Sequence, residues 1–321
     1  MLPRQRIGLV VSRYWIIGLV GWLMLSGCDD SAPEQQQAPA TTVPQGLLDL
    51  SAKNARDREQ VMPRTKVLEA MAALTQDSGL RFHRLQHEGA NVAALVEIDL
   101  AQLAPKIVTQ PTGIRPIDAI QQANVRLVIG SSFVSQVRRM QPIGVLKVNN
   151  ELVQDVEVHG YTRILGIHNI RESVSENPSR TDNSAMAPPQ QRFGVEHRSR
   201  WPLEHFHSAL QAGPGIIEEG QLDISERDLQ RQKYFRSFVA ECGERSVVGA
   251  TLVPMHLHTL GSELVKFFAA KQLGCNEVVN LAGDRESVLL LRRDSSAVYV
   301  GDPNQSKAGL IAFTVIQHEG S

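Results

Sequence analysis

From residue 80 onward, apolar positions recur at every second residue in short runs, separated by glycines and polar pairs. That period predicts strands with one buried face. Residues 82–85 and 92–98 flank the turn Glu88-Gly89-Ala90-Asn91 and read as a hairpin. Residues 125–129 form an apolar β-rich run behind a short helix at 116–123. Residues 143–148 and 151–158 flank Asn149-Asn150, a pair suited to a two-residue hairpin turn. Further strands are predicted at 215–218, 245–253, 278–281, 287–291, 297–300 and 311–316. Residues 203–212 fit either a helix or a buried strand, and Gly213-Pro214-Gly215 ends them. The stretch 227–238 is polar with scattered apolar positions and carries no clear period.

Helical spacing occurs twice. Val67, Leu68, Met71, Ala72 and Leu74 fall near one face and Gly79 follows, so residues 47–80 read as a helical N-terminal segment. Leu260, Leu264, Phe267 and Phe268 mark a helix over 259–273, stopped by Gly274. Strands and few helices follow one another without a βα repeat, which predicts an α+β fold with a mixed, mainly antiparallel sheet and a few packed helices. Residues 171–200 are polar, proline-containing and aperiodic. They read as a mobile insertion, either a plain surface excursion or a lid over a site.

The first fifty residues follow a different pattern. Arg4, Arg6 and Arg13 precede the uncharged run YWIIGLVGWLML at residues 14–25. About a dozen apolar residues fall short of the roughly 20 that a spanning helix needs and fit a signal h-region. The run ends in LSGC, which resembles the lipobox of bacterial lipoproteins. The resemblance implies a signal peptide over 1–27, lipidation of Cys28, and an anchor in a membrane facing the periplasm. Asp29, next to the cysteine, implies retention at the inner membrane. Residues 28–46, rich in Pro, Gln, Ala and Thr, lack an apolar cluster and read as a flexible tether.

Composition narrows the function classes. Net charge is −1 and the pI about 6.8, so no electrostatic footprint for nucleic acid is present. Of three cysteines, Cys28 is assigned to the lipid. Cys242 and Cys275 are left as an even pair, either a disulfide or two buried thiols. His256 and His258, like His205 and His207, stand at strand spacing, but no third ligand accompanies either pair, so no metal is assigned.

One ordered set of motifs points further. ALQAGPGIIEEGQL (residues 209–222) is followed by ERSVVGATL (244–252) and then TLGSELVKFFAAKQLGCNEVVNLAGDRES (259–287). Upstream stand IGSSFV (129–134) and PIGVLKVNNEL (142–152). In this order the chain resembles the phosphodiester glycosidase domain family over most of residues 82–317, which places such a domain at 81–321. The resemblance implies hydrolysis of a sugar-1-phosphodiester in envelope or exopolysaccharide metabolism, with a carbohydrate or sugar phosphate as ligand and the cofactor unassigned. It places Arg245 on a phosphodiester oxygen, where a planar guanidinium fits. Asn280, Gly213, Gly215, Gly283, Ser131 and Ser132 are placed around the substrate. Each has a plain structural alternative: an ion pair for Arg245, a loop contact for Asn280, strand punctuation for the glycines. The family's loop aspartate falls on Ala282 and its second glycine on Asp284. The asparagine of its upstream loop falls on Gly130, and the glycines of that loop on Ser131 and Ser132. Asp284 and Glu286 are then the carboxyl groups left for acid–base work. The alternatives are a catalytically degenerate domain that binds a glycan or sugar phosphate, and an envelope assembly factor whose 171–200 loop docks a protein.

Overall fold

The computed structural model describes residues 43–53, 58–76, 79–131, 140, 142–155, 161–170, 190–197, 199 and 203–316. Every described residue belongs to one unit, Pro39–Ser321. The signal region, Cys28, Asp29 and Ser132 lie outside the described residues, as does most of the expected insertion.

The described residues of this unit form three antiparallel sheets. The first has the strand order β2-β1-β18-β17-β6-β19-β5. Its strands are β1 (Gln45–Asp49), β2 (Glu59–Val61), β5 (Leu103–Ile114), β6 (Val125–Gly130), β17 (Leu289–Arg293), β18 (Ser296–Val300) and β19 (Lys307–Val315). The second, β10-β9-β11-β7-β8, comprises β7 (Leu146–Val148), β8 (Glu151–Gln154), β9 (Arg163–Ile170), β10 (Gln190–His197) and β11 (Ser208–Ala212). The third runs β13-β12-β16-β14-β15-β4-β3. It is built from β3 (Leu80–His87), β4 (Ala90–Asp99), β12 (Gly215–Glu218), β13 (Gln221–Leu222), β14 (Arg236–Cys242), β15 (Arg245–Thr251) and β16 (Glu277–Gly283). The expected mixed, mainly antiparallel sheet is instead three sheets, antiparallel throughout their described pairings, and helices contribute little, so the α+β chain is largely β.

Alternation dictates where the core sits. One face of each sheet points into a shared cluster that includes Leu127 and Ile129 from the first, Leu165 and Phe193 from the second, and Val248, Val279 and Leu281 from the third. Helix α1 (Arg64–Leu74) adds Val67, Leu68 and Met71 to it. The outer face of the third sheet is covered by α3 (Leu257–Lys271), through Leu257, Leu260, Leu264 and Phe268. Gln272, in the left-handed conformation at φ 55°, caps α3 two residues before the expected stop at Gly274. The short α2 (Pro116–Ile120) packs on the outer face of the first sheet.

Four departures from expectation have local causes. Helix was expected from residue 47, but Gln45–Asp49 pairs with β18, Gln45 against Val300. Leu48 is fully buried there, which contributes about 2 kcal/mol and outweighs helical spacing in a five-residue segment. β5 was not predicted because Pro105 and Pro111 interrupt it; both are tolerated because β5 is an edge strand. Part of the expected mobile insertion, Gln190–His197, is strand β10, paired to the unpredicted β9 with Phe193 and Val195 in the core. Residues 171–189 lie outside the described residues. The ambiguous 203–212 stretch resolves into a 3-10 turn at Leu203–His205 and the buried strand β11. The Asn149-Asn150 turn forms as expected, both residues at positive φ.

Candidate functional site

Strand β16 ends at Gly283, and a 3-10 turn, Asp284–Glu286, carries the chain from the third sheet to the first. Asp284 is held by Phe235: its N–H donates to Phe235 O at 2.9 Å, and Phe235 N–H donates back to its Oδ1 at 3.2 Å. Asp284 is exposed, but partial desolvation of its carboxyl at the turn pushes it above the usual range, against the Phe235 N–H and the charges of Arg236 and Arg285. Glu286 is half-buried. Burial raises its carboxyl too, opposed by Lys307 and by the Ala308 N–H that it accepts. Its Oε2 is buried with no hydrogen-bond partner among the described residues.

Cations meet these carboxyls from other strands. Arg236 stands opposite Gly283 in the β14–β16 register. Its guanidinium lies 4.9 Å from the centre of the Tyr234 ring. Nε is buried and makes no hydrogen bond among the described residues. Burial lowers this guanidinium's pKa, against the charges of Asp228 and Asp284. Lys307, fully buried, donates to Arg285 O and to Gln305 Oε1 at 3.2 Å. Gly130 and Ser131 follow at the end of β6. A side chain at Gly130 would collide with Glu286 O, so the glycine lets the two strands meet. Ser131, 1% exposed, donates its N–H to Gly309 O at 3.2 Å. Behind the turn, Ser237 Oγ donates to Ser287 Oγ at 2.9 Å.

The structure therefore brings together Gly130, Ser131, Gly283, Asp284 and Glu286. It adds Arg236 and Lys307, which sequence reasoning missed. Arg236 lay at the end of the stretch without a clear period, and Lys307 in a polar segment, so neither carried a signal before pairing was known.

Other predicted residues have structural tasks. Asn280 is fully buried. Its Nδ2 donates to Gly213 O at 3.2 Å and its N–H to Pro214 O at 3.1 Å, while Gly213 N–H donates to Asn280 O at 2.9 Å. It thus fastens the cis Gly213–Pro214 crossing from the second sheet to the third. Gly213 has φ 137° and lies against the backbone at Thr162. Gly215 lies against Arg163, where an added Cβ would come within 2.7 Å of Nε. Arg163 is 2% exposed and donates to Asp223 Oδ2 at 2.6 Å and Glu218 Oε2 at 3.0 Å. The two glycines make room for backbone and a buried ion pair. Ala282 sits in the shared core, fully buried, so the position that the resemblance gives to an aspartate is apolar ground here.

Arg245 is not at the turn. It opposes Cys242 at the far end of β14, whereas Arg236 opposes Gly283 at the near end. Six residue steps of strand separate those ends, about 20 Å. Arg245 Nη1 instead donates to Glu97 Oε1 at 2.6 Å. The same buried carboxylate is 2.9 Å from His83 Nε2 and 3.8 Å from Arg81. Cys242 and Cys275 are joined as a disulfide, Cα–Cα 4.0 Å.

The histidine pairs are separated in role. His256 stands at the N-terminus of α3 with Nδ1 buried and no hydrogen bond among the described residues. His258 N–H donates to Asp228 Oδ2 at 3.0 Å, and His207 contacts Asn149 and Asn150. Among the described residues, no three His, Cys, Asp or Glu side chains are gathered as metal ligands, and no helix is long and apolar enough to cross a membrane.

No family model and no curated protein matches the chain. Solved structures resemble it at low identity. A hypothetical protein from Synechocystis is 12% identical with a TM-score of 0.49, over 74% of this chain and 62% of that one. This chain thus spans less than two thirds of the Synechocystis chain. The zebrafish N-acetylglucosamine-1-phosphodiester alpha-N-acetylglucosaminidase catalytic domain, auto-inhibited by its pro-peptide, is 12% identical with a TM-score of 0.46, over 74% and 82%. A putative exported protein from Burkholderia pseudomallei is 10% identical with a TM-score of 0.45, over 86% of each chain. At these values the likeness assigns no residue a role.

Proposed function

We propose that this chain is a lipid-anchored protein of the bacterial envelope whose β domain hydrolyses a sugar-1-phosphodiester at the Asp284–Glu286 turn. The observation that carries the reading is the meeting, at one inter-sheet crossing, of two carboxyls with raised proton affinity and the poorly hydrated Arg236 guanidinium. The ordered motifs and the LSGC boundary support it independently. In the proposed step Arg236 holds a non-bridging phosphate oxygen. Asp284 takes a proton from the water that attacks the anomeric carbon. As the bond from that carbon to the bridging oxygen breaks, Glu286 gives its proton to that oxygen. The products are the free sugar and a phosphate monoester. Arg236, rather than Arg245, is the cation of this proposal.

A second reading, a sugar-phosphate receptor without turnover, is favoured by Ala282, which puts an apolar methyl where the resemblance expects a carboxylate. The full chain, purified in detergent, separates the two. It is incubated with a panel of sugar-1-phosphodiesters that includes nucleotide sugars, and released sugar is followed by mass spectrometry. Release that Arg236→Ala abolishes supports hydrolysis. A ligand-induced rise in melting temperature without release supports the receptor, since a ligand at 100 times its Kd adds about 2.7 kcal/mol. Anchoring is tested by labelled palmitate, which is expected on the wild type and absent from Cys28→Ser.

A further inference from the structure

At the opposite edge of the third sheet, a cavity of about 370 Å³ opens between α1, the edge strand β3 and α3. Its walls are Ala72, Phe82, His83, Arg84, Phe267 and Lys271. The volume falls within the roughly 300–1,000 Å³ of small-molecule sites. Two properties of the lining narrow the ligand. Phe82 and Phe267 supply aromatic surface, and the His83 ring meets Phe267 edge-on at 5.4 Å between centroids. Among the described residues, the ionisable members of the lining are all nitrogen bases, with no carboxylate among them. Arg84 and Lys271 are exposed and have no ion-pair partner among the described residues. Behind the wall, Glu97, 4% exposed, holds the His83 ring at 2.9 Å and is itself occupied by Arg245 at 2.6 Å. The buried Glu97 carboxylate is therefore spent on positioning, and its ring partner is preorganised.

We infer that this cavity binds a small anion carrying a flat apolar body, of the class of aromatic phosphate monoesters and aromatic carboxylates. The ring lies against Phe82 and Phe267, and the anionic group meets Arg84 and Lys271 at the rim. The site is separate from the Asp284–Glu286 turn and does not depend on the reading given to that turn.

The test is calorimetric titration of the full chain with phenyl phosphate, with inorganic phosphate and benzyl alcohol as probes lacking the ring or the charge. Saturable binding of phenyl phosphate is expected, with both partial probes at least about tenfold weaker. The double variant Arg84→Gln/Lys271→Gln removes two exposed charges and is expected to weaken binding about tenfold at unchanged melting temperature. Phe267→Ala weakens it as well, and Arg236→Ala leaves it unchanged. The inference is overturned by no saturable heat, by equal binding of inorganic phosphate, by full affinity in the double variant, or by loss of binding in Arg236→Ala, which would move the ligand to the turn.

Discussion

Arg236, at the near end of β14, and Arg245, on β15 across from its far end, are the same kind of residue treated in opposite ways. At the far end, Arg245 is paired at 2.6 Å with Glu97, and the neighbouring Cys242 is cross-linked to Cys275. At the near end, Arg236 keeps a buried Nε without a hydrogen bond among the described residues, beside carboxyls that desolvation has made easier to protonate. At the far end the arginine is spent on the stability of the fold. The other retains unspent hydrogen-bonding capacity, which a ligand can satisfy. Residue type alone does not distinguish the two arginines. Their partners do.

The difference can be broken first where it is strongest. Replacing both Cys242 and Cys275 by Ala releases a closed loop with a sequence separation of 33, and the loop-entropy relation predicts a loss of about 4 kcal/mol. Denaturant unfolding of the double variant measures it, while sugar-phosphate binding at the turn is expected to persist. Glu97→Ala follows. It leaves the mostly buried His83 ring without its hydrogen-bond partner, while Arg245 can turn to solvent, and an orphaned buried polar group of this kind costs about 1–3 kcal/mol. A loss below 1 kcal/mol would show, by the exposed-pair scale of about 0–1 kcal/mol, that the cluster behaves as a surface pair.

The near end should answer in function rather than stability. Arg236→Ala is expected to lower turnover, or affinity if the site is a receptor, by about 100-fold, the scale of losing one preorganised donor to a developing or fixed anion. Its melting temperature should move little, because the guanidinium makes no ion pair among the described residues. Arg245→Ala is the matching control. It removes a half-exposed partner from Glu97, which retains His83, so about 1 kcal/mol of stability is lost and activity is retained. If Arg245→Ala abolished activity while Arg236→Ala left it intact, the assignment of the two ends would be reversed.

These roles also mark how far sequence reasoning reached. The hairpins at Glu88-Gly89 and Asn149-Asn150, the strands of the third sheet apart from β14, and the helix over Leu257–Lys271 were legible, because alternation, turn residues and helical period are local properties. β1, β5 and β10 were not, since short or proline-broken segments become strands only when a neighbour completes their hydrogen bonds. The site was legible in part. Gly130, Ser131 and the Asp284–Glu286 turn belong to one ordered motif set. Arg236 depends on the β14–β16 register and Lys307 on the return of β19 beside β6, and register is a long-range property. The glycines Gly213 and Gly215 were recognised as special, but the reason for it, room for Thr162 backbone and for Arg163, needed the fold.

The smallest expected effect is also the most specific to the near end. Burial raises the Glu286 carboxyl above its ordinary value of 4.5, so the folded chain binds that proton more tightly than the unfolded chain. The sign follows directly. Below pH 4.5 the carboxyl is protonated in both states and the preference contributes in full. As pH rises through the raised value, the folded state must give up a proton that it holds more tightly, or carry a poorly solvated charge, and the contribution is lost. The positive charge of Lys307 and the Ala308 N–H soften the loss without changing its sign, since burial is the largest cause. Glu286→Gln cannot ionise and escapes it. Melting temperatures of wild type and variant, measured from pH 4 to pH 7, should therefore diverge with rising pH in the variant's favour. Parallel curves would mean that the Glu286 carboxyl is as well solvated when folded as when unfolded, and it would then have no stored proton to give to a leaving oxygen.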